Sequence, residues 1–221
     1  MTLLAVKGLE AGYGPIQVLR NVGFSIGEGE FLGILGHNGM GKSTLFKALA
    51  GEIPTTKGSI HFEGKEISPL PSHRRARAGI GYVPQGRQIF PALTVRENMK
   101  MAALGAHQPA ETVDRLLASF PRLHPIVDRM GGVLSGGEQQ ILALARCLCA
   151  APKIMLLDEP TEGVQPSIRD EIVDTLHRLR SEVGLTLLLV EQNVKFMESL
   201  ADRVLHMDKG HLLVGAPEEA W

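Results

Sequence analysis

The sequence predicts an α/β fold with a mostly parallel β-sheet, and three observations support that prediction. Short apolar strands such as "FLGILG", "IMLLD" and "LTLLLV" alternate with helical segments. A glycine-rich turn, "GHNGMGKST", lies between one such strand and a helix. Between residues 88 and 150 strand patterns give way to helical periodicity, which indicates an inserted helical subdomain. Strands that alternate with helices favour a parallel sheet covered on both faces.

The first half of the chain begins with strands and turns, which form an expected N-terminal antiparallel β part. "QVLRNVGFSIGEGE" alternates apolar and polar residues and then turns at Gly27 to Glu30. "FLGILG" follows as a buried strand, and "KSTLFKALAG" predicts a helix that Gly51 ends. "SIHFEGKEI" predicts a hairpin around Gly64, and "IGYVPQ" predicts a short strand that Pro84 ends.

The second half predicts the helical insertion, two buried strands and a closing hairpin, all within a single domain over residues 1–221. A helix is expected from about Pro166 to Gly184 between the strands "IMLLD" and "LTLLLV". The final hairpin is "RVLHMDKGHLLVG". The apolar stripe of the expected helix consists of Ile168, Ile172, Leu176, Leu179 and Val183.

Composition limits the classes of function and location. The net charge is −1, so no global field attracts nucleic acid or an anionic bilayer. The longest apolar runs fall well short of the roughly 20 residues that a membrane-spanning helix needs. The N-terminus "MTLLAVKGLE" lacks the pattern of a secretory signal, and Cys147 and Cys149 are expected to be reduced, so we expect a cytoplasmic protein.

The glycine-rich turn fits the phosphate-binding pattern G-x-x-x-x-G-K-[ST], and its position after a strand and before a helix is the context that this motif requires. Its backbone N–H groups are expected to face phosphates, with Lys42 at the β- and γ-phosphates and the Ser43 hydroxyl on Mg²⁺. The predicted nucleotide-binding residues are Gly36, His37, Asn38, Gly39, Met40, Gly41, Lys42, Ser43 and Thr44. A chance glycine-rich turn is the alternative explanation.

An acidic pair ends the later strand "IMLLDEP". Asp158 is placed to hold Mg²⁺ through water, as the strand-end aspartate of phosphate-loop enzymes does. Glu159 is one residue further on, so its side chain can point elsewhere, at an attacking water. We therefore predict that Glu159 is catalytic.

The phosphate loop, "YVPQ", "LSGGEQQ" and "LLDEP", in this order and spacing, resemble an ABC-type ATPase subunit over essentially the whole chain. The resemblance implies that two such subunits close head to tail on ATP. Each ATP would lie on the phosphate loop of one subunit and under the "LSGGE" segment of the other. The "LSGGE" segment would thus be a second phosphate-binding site, which holds the γ-phosphate of the partner's ATP through Ser135, Gly136, Gly137 and Glu138.

The resemblance also assigns three further positions. Gln85 matches a glutamine that contacts Mg²⁺ and the attacking water. Tyr13 matches an aromatic residue that stacks on adenine, although a tyrosine at this place could also be a plain surface residue. Gln192 stands where the family commonly has a γ-phosphate-sensing histidine, and Gln165 stands where an aspartate is common. We expect Gln192 to remain a catalytic sensor, with helix capping as the alternative.

The implied function is ATP hydrolysis, with Mg²⁺, that drives solute import at the inner face of the plasma membrane. The implied partners are two membrane permease subunits, a second ABC ATPase subunit and, indirectly, an extracytoplasmic solute-binding protein. "GHNGMGKST", "YVPQGRQIFPALTVREN", "PTEGVQPSI" and "VEQN" resemble the branch of the family that serves branched-chain amino acids, urea and short-chain amides, and they favour its urea and amide side. Phe90 and Leu93 would either pack in the core or face the permease.

The sequence argues against two other functions. A non-transport ABC ATPase acting on nucleic acid or ribosomes would carry two heads or a long heptad insertion, and this sequence has neither. A nucleotide kinase would lack "LSGGEQQ" and carry an acceptor-binding lid. The basic cluster "SHRRARAG" is expected to be a solvated helix face rather than a nucleic-acid patch.

Overall fold

A computed structural model describes residues 1–213 of the chain. The strands are β1 (Thr2–Tyr13), β2 (Ile16–Gly27), β3 (Phe31–Leu35), β4 (Thr55–Phe62), β5 (Lys65–Glu66), β6 (Ile80–Val83), β7 (Ile154–Asp158), β8 (Thr186–Glu191), β9 (Arg203–Asp208) and β10 (His211–Leu213). The helices are α1 (Lys42–Ala50), α2 (Ser72–Ala78), α3 (Val95–Gly105), α4 (Thr112–Leu117), α5 (Gly136–Leu148), α6 (Pro166–Val183) and α7 (Val194–Leu200). Across residues 1–213, no helix has the length and apolar character needed to cross a membrane.

The central sheet has six strands in the order β10-β9-β3-β8-β7-β6. Strands β6, β7, β8, β3 and β9 run parallel, and β10 alone is antiparallel, paired with β9 as the predicted hairpin. Because parallel strands share a direction, their carboxyl ends meet at one edge of the sheet. The segments that follow β3, β6, β7 and β8 therefore lie along the same edge.

Both faces of this sheet are covered, as predicted. Along β3 the side chains alternate: Phe31 and Leu35 face one buried cluster, which includes residues of α5, α6 and α7. Leu32 and Ile34 face a second cluster, which includes α1 and the N-terminal strands. The apolar strands of the sheet are buried on both sides for this reason, which explains why their sequences lack a polar alternation.

The N-terminal part is a separate antiparallel sheet, as predicted, and its strand order is β2-β1-β4-β5. Its buried residues, among them Leu9, Leu19 and Ile60, pack with Phe46 of α1. The helix that carries the second half of the phosphate loop is therefore held between the two sheets. Gly51 ends α1 in the left-handed conformation, with φ of 79°, where the sequence predicted its end.

The predicted helical segment contains α3, α4 and α5, all inserted between β6 and β7. Short 3₁₀ turns at His124–Ile126 and Gly131–Val133 lie between α4 and α5. One isolated antiparallel bridge joins Thr94 to Met130. Thr94 starts α3 with a capping box, in which its hydroxyl accepts from the Glu97 N–H and the Glu97 carboxylate accepts from the Thr94 N–H.

Two predictions about helix faces are corrected. Helix α6 has the expected bounds, and Gly184 ends it with φ of 67°, but Val183 is 69% exposed rather than part of the buried stripe, since it lies in the last turn next to the exit loop. The basic cluster is not wholly solvated: Arg75 of α2 is only 2% exposed. Its guanidinium donates to the carbonyls of Ala48 and Leu49 at the C-terminal end of α1, which replaces the helical partners missing there.

Candidate active site

The phosphate loop occupies the turn from Gly36 to Gly41, between β3 and α1. A side chain at Gly36 would collide with the backbone oxygen of Met207 on β9, at 2.7 Å from the position of a Cβ atom. Gly41 has φ of 105°, a conformation that L-amino acids other than glycine rarely adopt. These two glycines let the chain turn tightly so that α1 presents its N-terminus, with unpaired N–H groups, to the loop.

Lys42 is the first residue of α1, and its side chain turns back into the loop. Its ammonium donates to the carbonyl oxygens of Gly36 (2.7 Å) and His37 (3.0 Å). It also forms an ion pair of 3.0 Å with the Glu159 carboxylate, and the two side chains are only 3% and 5% exposed. The structure therefore brings the predicted phosphate-binding cation and the predicted catalytic carboxylate into direct contact.

Asp158 ends β7 and is 2% exposed. Its Oδ1 atom accepts from the Ser43 hydroxyl at 3.1 Å, and its Oδ2 atom accepts from the Tyr82 hydroxyl at 3.3 Å. Burial raises the pKa of Asp158 to about 6; the nearby Glu159 adds to the rise, while the hydrogen bonds from Ser43 and Tyr82 oppose it. Ser43 and Asp158, both predicted as metal ligands, thus present oxygen atoms to each other across the loop.

Glu159 has an unusual backbone for a non-glycine residue, with φ of 48°. Its N–H donates to the carbonyl of Val190 on β8, which holds the turn at the edge of the sheet. The left-handed turn ends the alternation of the strand and directs the Glu159 side chain at Lys42. Strained backbone of this kind costs about 1–3 kcal/mol and is found preferentially at functional sites.

A pocket of about 320 Å³ opens beside this carboxylate and is lined in part by Glu159, Thr161, Glu191 and Gln192. Gln192 follows β8 directly, and its side chain is exposed. The alternative explanation of Gln192 as a helix cap is wrong, because Asn193 performs that role. The Asn193 side-chain oxygen accepts from the Phe196 N–H at 3.1 Å and starts α7.

Two further predicted site residues are exposed. Gln85 follows β6, is exposed, and donates its side-chain amide to Glu162 at 3.0 Å. Tyr13 ends β1 and is 45% exposed. The predicted roles of Gln85 toward Mg²⁺ and of Tyr13 toward adenine remain predictions.

The "LSGGE" segment forms the N-terminus of α5. The Ser135 hydroxyl accepts from the Glu138 N–H at 3.3 Å, and the Glu138 carboxylate accepts from the Ser135 N–H at 2.7 Å. This capping box explains the serine and the glutamate, and the hydrogen bonds from Ser135 lower the pKa of Glu138. Gly137 packs closely on α6, since a Cβ atom there would lie 2.0 Å from the Cδ1 atom of Ile168 and that side chain would have to shift. Ser135 itself is exposed.

Sequence reasoning missed two polar residues of this region. Tyr82 lies in "GYVPQ" and reaches the Asp158 carboxylate, a contact that no sequence pattern specifies. Glu191 is 2% exposed at the end of β8 and accepts four hydrogen bonds. A charged residue directly after the apolar run "LTLLLV", beside a strand ended by Asp158, was the available signal for Glu191.

Comparison with known proteins agrees with this geometry. The family profile described as "ABC transporter" matches residues 19–162. The high-affinity branched-chain amino acid transport ATP-binding protein BraG of Pseudomonas aeruginosa is 40% identical over 214 residues, which cover 96% of this chain and 91% of that protein. The lipopolysaccharide export system ATP-binding protein LptB of Escherichia coli strain K12 is 37% identical, with coverage of 99% of this chain and 92% of that protein.

A solved structure described as a nucleotide-free ATP-binding cassette from an ABC transporter superposes with a TM-score of 0.88 at 25% sequence identity. The superposition covers 97% of this chain and 90% of that chain. The profile, the relatives and the superposition all span the region that carries the phosphate loop, the strand-end carboxylates and the helix that starts at Gly136. The chain therefore belongs to the ABC transporter family and is an ATP-binding, ATP-hydrolysing subunit of that family.

Proposed function

We propose that this chain energises solute import through separate membrane permease subunits by hydrolysing ATP at the site around Lys42, Asp158 and Glu159. The observation that supports the proposal most strongly is the meeting of four groups at one sheet edge. The Lys42 ammonium lies 3.0 Å from Glu159, and the Ser43 hydroxyl lies 3.1 Å from Asp158. A cation, a hydroxyl and two carboxylates beside a helix N-terminus are the groups that phosphoryl transfer requires.

The residues present suit Mg²⁺, which favours oxygen ligands and is held in such sites by one or two carboxylates together with phosphates. Ser43 and Asp158 would supply the protein oxygens. When bound, Mg²⁺ neutralises charge that develops on the phosphates. Deprotonated Asp158 is the form that binds a cation, and its raised pKa of about 6 implies that magnesium binding at lower pH displaces a proton.

Lys42 has a clear role in this proposal. Its ammonium is satisfied by two loop carbonyls and by Glu159. Phosphate oxygens on the loop offer the same ammonium stronger, charged acceptors. As Lys42 turns to the phosphates, its pairing with Glu159 weakens. The Glu159 carboxylate then becomes available to orient the attacking water and to take its proton.

Gln192, Gln85 and Tyr13 complete the proposed site. Gln192 lines the same pocket as Glu159, where its amide can donate to a phosphate oxygen and accept from water. Unlike histidine, it cannot become cationic near neutral pH. Gln85 lies on the segment that joins β6 to the helical part, so its hydrogen bond to Glu162 links that part to the segment after Glu159. Exposed Tyr13 is free to stack on adenine.

The start of α5, where Ser135 is exposed, is proposed to hold the ATP of a second ATPase subunit. Ser135, Gly136, Gly137 and the positive end of the helix dipole favour a phosphate there. The capping box commits the Glu138 carboxylate to the Ser135 N–H, so Glu138 would shape the grip rather than touch phosphate. A γ-phosphate gripped by two chains makes their closure depend on ATP and their opening depend on hydrolysis.

The solute is proposed to be a branched-chain amino acid, urea or a short-chain amide, which an extracytoplasmic binding protein would deliver to two permease subunits. The likeness to BraG supports a branched-chain amino acid, whereas the sequence features "PTEGVQPSI" and "VEQN" favour urea or a short-chain amide within the same branch. The likeness to LptB supports export as the second candidate direction. In either direction the chain would work at the cytoplasmic face of the membrane.

The test of the proposed chemistry is Glu159→Gln. The amide keeps the size of the side chain but cannot take a proton, so turnover should fall by about 10²–10⁴-fold. ATP binding should persist, and the ATP-loaded dimer should accumulate in size-exclusion chromatography. Wild-type turnover in this variant would refute the assignment. Uptake of radiolabelled leucine, urea and acetamide into vesicles that contain the reconstituted transporter decides between the solutes and the directions.

A further inference from the structure

We propose that Glu191 is a positioning residue that fixes Glu159 and Gln192 relative to each other, an inference that rests on the proposed function. Glu191 is the last residue of β8, directly beside β7 in the sheet. Glu159 lies after β7, and Gln192 lies after β8. The distance between these two side chains therefore depends on how the two exit loops are joined.

The two oxygens of the Glu191 carboxylate divide their contacts between the two loops. Oε1 accepts from the N–H (3.0 Å) and the hydroxyl (2.5 Å) of Thr161, two residues after Glu159. Oε2 accepts from the N–H groups of Gln192 (3.0 Å) and Asn193 (3.1 Å). One carboxylate thus connects the loop of the proposed base to the loop of the proposed sensor.

Burial makes this connection rigid. Glu191 is 2% exposed and Thr161 is 6% exposed, so water competes poorly for their groups. A buried carboxylate is tolerated when several donors surround it, and here four donors do so. Charge-assisted hydrogen bonds of this kind are about twice as strong as neutral ones, and two on each side fix the carboxylate in position as well as direction.

The Glu191 carboxylate is directed at backbone and threonine groups, which distinguishes it from the catalytic groups. Its partners are the supports of Glu159 and Gln192, and it lines the wall of the same pocket. A misplacement of about 1 Å in an active site can reduce turnover about 10²-fold. Loss of the connection is therefore expected to reduce kcat, while ATP, which is held mainly by the loop at Lys42, should still bind.

Glu191→Gln is the first variant. The amide keeps one acceptor oxygen, but its NH₂ group cannot accept hydrogen bonds from the donors that face it. It can satisfy one loop but not both. We expect kcat to fall by about 10- to 100-fold while the dissociation constant of ATP changes less than about twofold. The second variant, Thr161→Val, removes one hydroxyl and keeps the shape, so it tests the same connection if Glu191→Gln folds poorly. Thr161→Ser restores the hydroxyl and should recover the lost kcat.

Two controls distinguish the positioning role of Glu191 from a purely structural role. Leu179→Ala removes a buried side chain of α6 away from the pocket and should lower the melting temperature. Its kcat shows how much turnover is lost through destabilisation alone. A double-variant cycle with Gln192→Ala is the sharper control: if Glu191 acts by placing Gln192, Glu191→Gln should reduce kcat less in the Gln192→Ala background than in the wild type.

The inference is overturned if Glu191→Gln and Thr161→Val lose no more kcat than Leu179→Ala at equal melting temperature. It is also overturned if the losses from Glu191→Gln and Gln192→Ala simply multiply. Glu159→Gln, measured alongside, separates this outcome from failure of the proposed function. A large loss in Glu159→Gln with none in Glu191→Gln rejects the positioning role alone, whereas wild-type turnover in Glu159→Gln rejects the proposed site itself.

Discussion

The two segments proposed to bind phosphate, the loop at Lys42 and the start of α5, differ in burial. The loop at Lys42 is closed by its own chain, with the Lys42 ammonium and the Glu159 carboxylate paired at 3.0 Å and almost wholly buried. At the start of α5, Ser135 is exposed and Glu138 is half-buried, and the two residues cap the helix. The loop that carries the exposed Phe90 lies next to the turn before Ser135. The two are joined by a hydrogen bond that the Gly131 N–H donates to the Leu93 carbonyl.

This difference predicts how each segment responds to mutation. In the buried segment the functional groups also satisfy each other's charges, so a substitution changes both stability and chemistry. In the exposed region the functional groups meet mostly solvent, so a substitution can alter contacts with other molecules and leave the fold intact. The expected effects on stability therefore decrease from the Lys42 loop to the surface near Phe90.

Lys42→Ala should have the largest effect. Removing one member of a buried ion pair leaves an uncompensated charge, and the free energy of unfolding should fall by about 3–5 kcal/mol. ATP binding should also be lost. The double variant Lys42→Met with Glu159→Gln is the matched control, since it leaves no unpaired charge and should regain most of the stability. Urea denaturation of the nucleotide-free proteins measures both, and unchanged stability of Lys42→Ala would show that solvent replaces the pairing.

Asp158→Asn should raise the stability of the magnesium-free, nucleotide-free protein above about pH 6. The folded pKa of Asp158, about 6, exceeds the ordinary value of 3.8, so the folded state binds the proton more tightly. The wild type should therefore lose stability as pH rises from about 4 to 6, by about 1–3 kcal/mol. Asparagine does not ionise and should lack this loss. Melting curves at pH 4.5 and 8 measure the difference; parallel curves for both proteins would contradict the prediction.

Two substitutions at Ser135 distinguish its role as a helix cap from its proposed role in phosphate binding. Ser135→Ala should lower stability by about 1 kcal/mol, because the cap of α5 is lost. Ser135→Asp should keep that stability, since aspartate caps helices as well as serine does. Its negative charge should nevertheless repel a phosphate and abolish ATP-dependent dimerisation. Thermal unfolding and size-exclusion chromatography with ATP measure the two properties, and normal dimerisation of Ser135→Asp would argue against a phosphate at this helix end.

The pair Phe90→Ser and Leu93→Ser should have the smallest effect on stability. Phe90 is 45% exposed and Leu93 is half-buried, so the free energy of unfolding should fall by less than about 1 kcal/mol. ATP hydrolysis by the isolated chain should persist, whereas transport by the reconstituted complex should be lost if this surface docks on a permease. A loss of about 2–5 kcal/mol, as for truncation in a core, would show that the two side chains stabilise the fold instead.

Much of the fold could be predicted because local pattern and global structure agree. Gly51 and Gly184 end α1 and α6 where expected, and the apolar strands are buried on both faces. Val183 was placed wrongly because periodicity carries no information on where a helix leaves the core. Arg75 was placed wrongly because its partners are carbonyls on another helix, which composition does not reveal.

The candidate site was predicted in part, for a related reason. The phosphate loop and the pair Asp158 and Glu159 can be recognised as local sequence motifs, and the parallel sheet brings them together. Tyr82 and Glu191 act across strands that are distant in sequence, so only the folded chain shows their contacts. The ion pair of Lys42 with Glu159 was likewise not predicted. The motifs assign Lys42 to phosphate and Glu159 to the attacking water, and they do not indicate that the two side chains contact each other.

Mixing two inactive variants tests most directly whether one ATP is bound by the Lys42 loop of one chain and by the Ser135 helix of another. Lys42→Ala supplies an intact Ser135, and Ser135→Arg supplies an intact Lys42. If the two segments act in trans, random pairing into twofold dimers gives mixed dimers with one intact site, and turnover should recover to about a quarter of the wild-type value. A mixture that forms mixed dimers but stays as inactive as its two components would contradict the account.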